Sequence, residues 1–202
     1  MPYPDRFYPV VDSVAWVARL TKLGVGTVQL RAKDLDDAAA LELVRDAVAA
    51  VAGTPTKLVV NDYWRAAIAC GAKHLHLGQE DLDTADVPAI RRAGLTLGVS
   101  THDEDELDNA LAYKPDYIAL GPIYETTLKS MRFAPQGIER ITAWKLLIGD
   151  IPLVAIGGIK LEQAELIFAA GADSIAVVSD VTQNADPDAR VRAWLQTQQL
   201  AA

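Results

Sequence analysis

Eight short runs rich in Val, Ile and Leu recur along this chain, each followed by a longer stretch with helical spacing. The runs are FYPVV (7–11), TVQLR (27–31), KLVVN (57–61), HLHLG (74–78), TLGVS (96–100), YIALG (117–121), PLVAIG (152–157) and SIAVVS (174–179). Between them lie segments such as LDDAAALELVRDAVAAVAG and LEQAELIFAAGAD, whose apolar residues fall on one helical face. Strands that alternate with helices imply a parallel sheet, because parallel neighbours need a crossover. Eight such units in 202 residues predict an α/β fold, a closed (β/α)8 TIM barrel, as a single domain over residues 1–202. The alternative is an open doubly wound sheet, but no GxGxxG turn follows the first run and there is no P-loop.

Helices are expected to stop at Gly53, Gly71, Gly94 and Gly171, where glycine suits a left-handed cap. Trp16, Trp64, Trp144 and Trp194 fall on helical segments and are expected to pack against the barrel, and Cys70 reads as core packing. His74 and His76 are expected to divide between the barrel interior and the helices. The longest connection runs from Pro122 to Gly137 with no periodicity, and loops of that length in compact domains usually carry function.

In such a barrel the reactive groups come from the C-terminal ends of the strands and the loops after them. Those positions hold Arg31 and Lys33, Asn61 and Asp62, Gly78 to Asp81, then Ser100, Thr101 and His102. Thr126, Thr127 and Lys129 follow in the long connection, with Gly157 and Gly158 after the seventh run and Ser179 and Asp180 after the eighth. Polar groups therefore gather on one rim. Arg31, Lys33 and Lys129 suit a highly anionic ligand, the arginine as a bidentate fork and the lysines as point charges. Asp62 and Asp81 among those cations would repel an anion unless a metal lay between. Mg2+ takes one or two carboxylates together with phosphate oxygens and water. Gly157–Gly158 and Val178–Ser179 sit where barrels often hold a monophosphate through backbone N–H groups. Two phosphorylated ligands are thus expected.

Each feature also has a plainer reading. Arg31 and Lys33 could be a solvated pair, Asp62 and Asp81 helix caps, His102 a cap or packing group, and Gly157–Gly158 a tight turn. Composition narrows the partners. A net charge of −8 and a pI near 4.8 argue against nucleic acid and anionic membrane, which require a basic patch. The one cysteine makes no intrachain disulfide, and neither a signal peptide nor an apolar run of membrane-spanning length is present. A soluble cytoplasmic protein is expected, and a homo-oligomer is left open.

Taken together, QLRAK, VVNDYW, HLHLGQEDL, LGVSTH, YIALGPIY followed by Lys129, VAIGGI and AGADSIAVVSD resemble the thiamine phosphate synthase family, in order from about Tyr8 to Pro187. The resemblance implies a TIM barrel transferase that joins hydroxymethylpyrimidine pyrophosphate to thiazole phosphate with Mg2+, releasing pyrophosphate. It implies that Gln29, Leu30, Arg31, Ala32, Lys33, Asn61, Ser100 and Lys129 hold the pyrimidine pyrophosphate, with Arg31, Lys33, Ser100 and Lys129 catalytic. Asp62 and Asp81 would ligate the metal, and Thr126, Thr127, Leu128, Gly158, Val178 and Ser179 would meet the thiazole phosphate. One departure stands out. The family loop often reads FPTxTK, whereas here Tyr124, Glu125, Thr126, Thr127, Leu128 and Lys129 displace the second threonine by one. Either Thr127 or the Leu128 backbone would then replace it. Two other readings are a thiazole tautomerase on the same barrel, with His102 as acid or base, and a non-catalytic barrel that binds thiamine phosphates.

Overall fold

Each apolar run forms a strand, and all neighbouring pairs are parallel, as the crossovers require. The computed structural model describes residues 3–126 and 134–197. Its strands are β1 (Phe7–Val11), β2 (Thr27–Leu30), β3 (Lys57–Asn61), β4 (His74–Leu77), β5 (Thr96–Thr101), β6 (Tyr117–Leu120), β7 (Leu153–Ile156) and β8 (Ser174–Val177). They follow one another in order, and the sheet closes where Phe7 of β1 pairs with Ile175 of β8. The helices are α1 (Val14–Lys22), α2 (Asp37–Val51), α3 (Trp64–Ala69), α4 (Gln79–Thr84), α5 (Val87–Arg92), α6 (Glu104–Ala112), α7 (Gly137–Ile148), α8 (Ala164–Ala169), α9 (Ser179–Thr182) and α10 (Pro187–Gln196).

Local chemistry explains the helix boundaries. Ser13, Asp36, Asp86, Asp103 and Asp186 each accept a backbone N–H bond from the first turn of the helix they precede. The glycines expected to end helices, Gly53, Gly71, Gly94 and Gly171, all have positive φ. In α2, the buried residues Ala40, Val44 and Ala47 recur at intervals of four and three, which turns one face to the barrel.

The core has two parts. The larger lies between the barrel and its helices and includes Phe7, Leu20, Val28, Leu75, Leu97, Trp144 and Trp194. Each large apolar side chain buried there contributes about 1.5 to 3 kcal/mol of transfer free energy. The smaller fills the barrel itself with Tyr8, Val10, Val59, Tyr117, Ala119, Val154 and Ala176. Of the four tryptophans, Trp144 and Trp194 are fully buried as expected, whereas Trp16 and Trp64 are only half-buried. Cys70 packs half-buried against the core, its thiol 3.6 Å from the Leu41 carbonyl.

The two histidines of β4 need a correction. Residues two apart on a strand point to the same face, so they do not divide between interior and exterior. Both rings lie with the interior aromatics: His74 stacks on Tyr3 with centroids 4.6 Å apart, and His76 stacks on Tyr117 at 5.5 Å.

Candidate active site

A cavity of about 430 Å³ opens at the C-terminal ends of the strands. Among the residues lining it are Gln29, Arg31, Asn61, Ser100, His102, Thr126, Gly158, Val178 and Ser179, contributed by six different strand ends or the loops after them. The pair at the end of β2 is divided. Arg31 lines the cavity, while Lys33 is about half exposed and reaches sideways, its Nζ donating to Asp62 Oδ2 at 2.7 Å. Leu30 is buried in the outer core, so only its backbone faces the rim, and Ala32 is half-buried outside the cavity lining. Thr127, Leu128 and Lys129 lie outside the described residues.

Asp62 and Asp81 are not helix caps. The residue that caps α3 is Tyr63 and the one that caps α4 is Gly78, and neither cap makes a side-chain bond. Asp62 instead sits in the left-handed region with φ 63°, a conformation that costs a non-glycine residue about 1 to 2 kcal/mol. Two tight backbone bonds hold that turn, Tyr63 N–H to the Asn61 carbonyl at 2.8 Å and Trp64 N–H to the Asp62 carbonyl at 2.7 Å. The turn brings Asp62 to Asp81, and both line a second pocket beside the main cavity. Burial first, then the charge and hydrogen bond of Asp62, hold the Asp81 carboxyl above its ordinary range. Two carboxyls brought together in this way fit a hard divalent cation with two protein oxygens and open positions. Among the described residues no group of three His, Cys, Asp or Glu forms a fuller metal cage.

Two other features shape the walls. Gly157 and Gly158 have φ of 101° and 67°, and the chain of the long connection packs directly on them. A β-carbon on Gly157 would fall 2.6 Å from Pro122 Cα, and one on Gly158 would fall 2.9 Å from the Tyr124 carbonyl carbon. Glycine is therefore needed for close approach as well as for the turn. The stem of that connection is closed by backbone bonds, Gln136 N–H to the Pro122 carbonyl at 2.7 Å and Gly137 N–H to the Ile123 carbonyl at 3.1 Å. Beside Ser179, Asp180 accepts from Arg190 Nε and Nη2 at 2.8 Å each, from Trp194 Nε1 at 2.7 Å and from the Leu161 N–H at 3.3 Å. That carboxylate ties α10 and the loop after β7 to the end of β8.

The floor holds groups that sequence reasoning missed. Gln29 Nε2 donates to Tyr8 Oη at 2.7 Å, Tyr8 Oη lies 2.9 Å from Tyr117 Oη, and Tyr117 Oη lies 2.8 Å from His76 Nδ1. His76 Nε2 is 2.8 Å from Ser100 Oγ. Burial first, and the positive charge of Arg31 and Lys33 against the opposing Asp62, push His76 down to about 4, so it is neutral at pH 7. Gln79 Nε2 donates to the Ser100 carbonyl at 2.7 Å. Asn61 Nδ2 is buried without a partner among the described residues, a donor awaiting a ligand in the same cavity. His102 Nδ1 lies 2.6 Å from Glu106 Oε2. The sequence carries no clear signal for this floor, because both faces of a parallel barrel strand are buried and residue type does not show which side chains turn inward.

Comparison with known proteins places these features in a lineage. Residues 7–181 match the thiamine monophosphate synthase family. A thiamine-phosphate synthase of Rhizobium etli is 56% identical over 191 residues, 95% of this chain and 94% of that protein. One from Cronobacter sakazakii is 54% identical, over 92% of this chain and 89% of that protein. Among solved structures, a thiamine phosphate pyrophosphorylase from Pyrococcus furiosus superposes with a TM-score of 0.82 at 23% identity, covering 96% of each chain. A 3-hexulose-6-phosphate synthase superposes at 0.71 with 14% identity, covering 96% of this chain and 99% of that one, a likeness of fold alone.

Proposed function

The chain belongs to the thiamine monophosphate synthase family, and we propose that it is a transferase joining hydroxymethylpyrimidine pyrophosphate to thiazole phosphate, giving thiamine phosphate and pyrophosphate. The observation that carries this reading is convergence: Gln29, Arg31, Asn61, Ser100, Thr126, Gly158, Val178 and Ser179, from distant parts of the chain, line one cavity.

The reaction is a substitution at the exocyclic CH2 of the pyrimidine. The C–O bond breaks with its electron pair leaving on pyrophosphate, the aminopyrimidine ring delocalises the cation, and the thiazole nitrogen then forms the C–N bond. No protein nucleophile is needed. The protein's task is to stabilise the leaving group and hold the partners in line. Arg31, Lys33 and Lys129 neutralise the pyrophosphate, and Ser100 and Asn61 donate hydrogen bonds on the pyrimidine side. Asp62 and Asp81 would hold Mg2+, whose chemistry when bound is Lewis-acid neutralisation of the pyrophosphate oxygens. Lys33, now paired to Asp62, links the cationic side to that carboxylate pair. Gly158, Val178 and Ser179 offer backbone and hydroxyl donors to the thiazole phosphate, with Thr126 lining the same cavity. Thr127 and Leu128, outside the described residues, are assigned to the same phosphate by the family resemblance alone. Closure of the 122–137 connection would exclude water, which otherwise captures the cation.

The tautomerase reading has one observation in its favour, the contact between His102 and Glu106, which is how a carboxylate orients a general base. It leaves Arg31, Lys33, Asp62 and Asp81 without a task. The deciding experiment is to mix both substrates with Mg2+ and assay thiamine phosphate and pyrophosphate. Equimolar formation of both supports the synthase, and isomerised thiazole without pyrophosphate sinks it.

A further inference from the structure

Four buried or cavity-lining side chains run in series across the barrel floor to Ser100, and counting donors gives the series a direction. Gln29 presents its amide nitrogen to Tyr8, which leaves the amide oxygen as the group shown to the cavity. Tyr8 Oη accepts from that nitrogen, so its one proton is available for Tyr117 Oη. Tyr117 has then accepted one bond and has its own proton for His76 Nδ1. A neutral imidazole whose Nδ1 accepts must carry its proton on Nε2, and that nitrogen faces Ser100 Oγ. Ser100 accepts there. Its hydroxyl proton is thereby turned away from the wall and into the cavity.

We propose that Gln29, Tyr8, Tyr117 and His76 form a directional hydrogen-bond chain that makes Ser100 a donor into the cavity, with the His76 ring accepting at Nδ1 and donating from Nε2. Tyr8, Tyr117 and His76 are positioning residues, since each acts on the reacting groups through Ser100. Two arrangements compete: an amide turned over at Gln29 would run every bond backwards, and a Tyr8 hydroxyl that accepts from both Gln29 and Tyr117 would aim its own proton into the cavity it lines. Either puts the proton of His76 on Nδ1 and binds the serine proton to the wall. Such a serine offers lone pairs to an anion, which repel it. Tyr8 and Tyr117 are essentially inaccessible to solvent, so water cannot reset the direction midway. Bonds in such a chain also polarise one another, so the direction set at Gln29 is carried along its length. The Ser100 backbone is held separately by Gln79, and loss of the chain should misdirect the hydroxyl without moving the strand.

The kinetic half of the test rests on the reading that Ser100 donates to the departing pyrophosphate, while the structural half does not. In the free protein, nitrogen NMR of the three histidines at pH 7, with His74→Asn and His102→Asn to remove the other two signals, should show His76 with a protonated Nε2 and a bare Nδ1. A proton on Nδ1, or an imidazolium, overturns the chain. In the enzyme assay, Tyr117→Phe should lower kcat about tenfold and leave both KM values within about twofold, the loss expected for a charge-directed hydrogen bond made in the transition state. Ser100→Ala with Tyr117→Phe should be no slower than Ser100→Ala alone, because both remove the same interaction. Losses that multiply, or a Tyr117→Phe enzyme with full kcat, also overturn it. If the wild-type protein makes no thiamine phosphate at all, the functional reading fails while the nitrogen signals still decide the chain.

Discussion

Replacing Gly98, a buried residue inside β5, by alanine should injure this protein far more than the addition of one methyl group suggests. The added β-carbon would point into the barrel and fall 1.9 Å from Tyr117 Cζ. Carbon atoms prefer separations of about 3.5 to 4.0 Å, so the ring must retreat by about 1.6 Å or the strand must bend. The ring has nowhere to go. Tyr117 is fully buried, stacked on His76, edge-on to Tyr3 and Tyr8, and bonded through its hydroxyl to Tyr8 and His76. Overpacking costs about 1 to 3 kcal/mol, and each buried group stranded by the displaced hydroxyl about 1 to 3 more, so with partial relaxation the variant should lose about 3 to 5 kcal/mol. For a chain of this size that is a fall in Tm of roughly 6 to 20 °C. Urea titration of a double-mutant cycle checks the cause. Adding Tyr117→Val to Gly98→Ala should recover part of the loss, whereas Tyr117→Phe should not, because the clashing ring carbons remain. A Gly98→Ala protein with unchanged Tm, or equal rescue by Phe and Val, would refute the packing argument.

The remaining predictions concern the rim and the pH response. Asp62→Asn or Asp81→Asn should cut turnover and weaken its dependence on Mg2+ while leaving the circular dichroism spectrum unchanged, and an unaltered Mg2+ titration in both would remove the metal assignment. Substituting Arg31, Lys33 or Lys129 by alanine should lower turnover by about 10²-fold, the scale of one lost preorganised donor, with the effect on the pyrimidine side; a change confined to the thiazole-phosphate KM would mean the two pockets are exchanged. His102→Ala should retain substantial product formation, since substitution requires no proton moved to carbon, and abolition of the reaction in single turnover would favour the tautomerase. His74, held down to about 4 by burial and then by the charge of Lys57, stays neutral in the fold while the unfolded chain takes up a proton below about 6.5. Its contribution is therefore present above that pH and lost as pH falls towards 4. Urea midpoints should drop over this window less steeply in His74→Asn than in the wild type, and parallel curves would count against the linkage.

Much of this fold could be read directly, and the reason is specific. Val, Ile and Leu runs punctuated by glycines such as Gly71 and Gly171 mark strands and stops that the structure reproduces almost residue for residue. The rim followed, because a strand end is a place that sequence can name. The interior was harder. In a parallel barrel both faces of a strand are buried, so no polar alternation shows that Tyr8 and Tyr117 enter the barrel while Phe7 and Ile118 leave it. Nor does residue type tell Asp62 from Asp86. Asp86 caps its helix, whereas Asp62 is turned outward by a left-handed backbone and met by Lys33 from 29 positions away. Asp180 likewise read as one rim carboxylate, and its partners Arg190 and Trp194 become visible only when α10 folds back.

That returning helix has a consequence for how the molecule is made. Translation delivers β1 first, but Phe7 has no β8 to pair with until Ile175 has left the ribosome. Asp180 then remains an unpaired carboxylate beside Ser179 until Arg190 and Trp194 arrive. A nascent chain halted before residue 187 would carry Arg31, Asn61, Asp62, Asp81 and Ser100, yet the wall beside Ser179 would be held by nothing from α10. Domains fold as units while synthesis proceeds at several residues a second. A complete rim therefore comes late: an unfinished copy still on the ribosome carries most residues of the cavity without the tie that fixes its last wall.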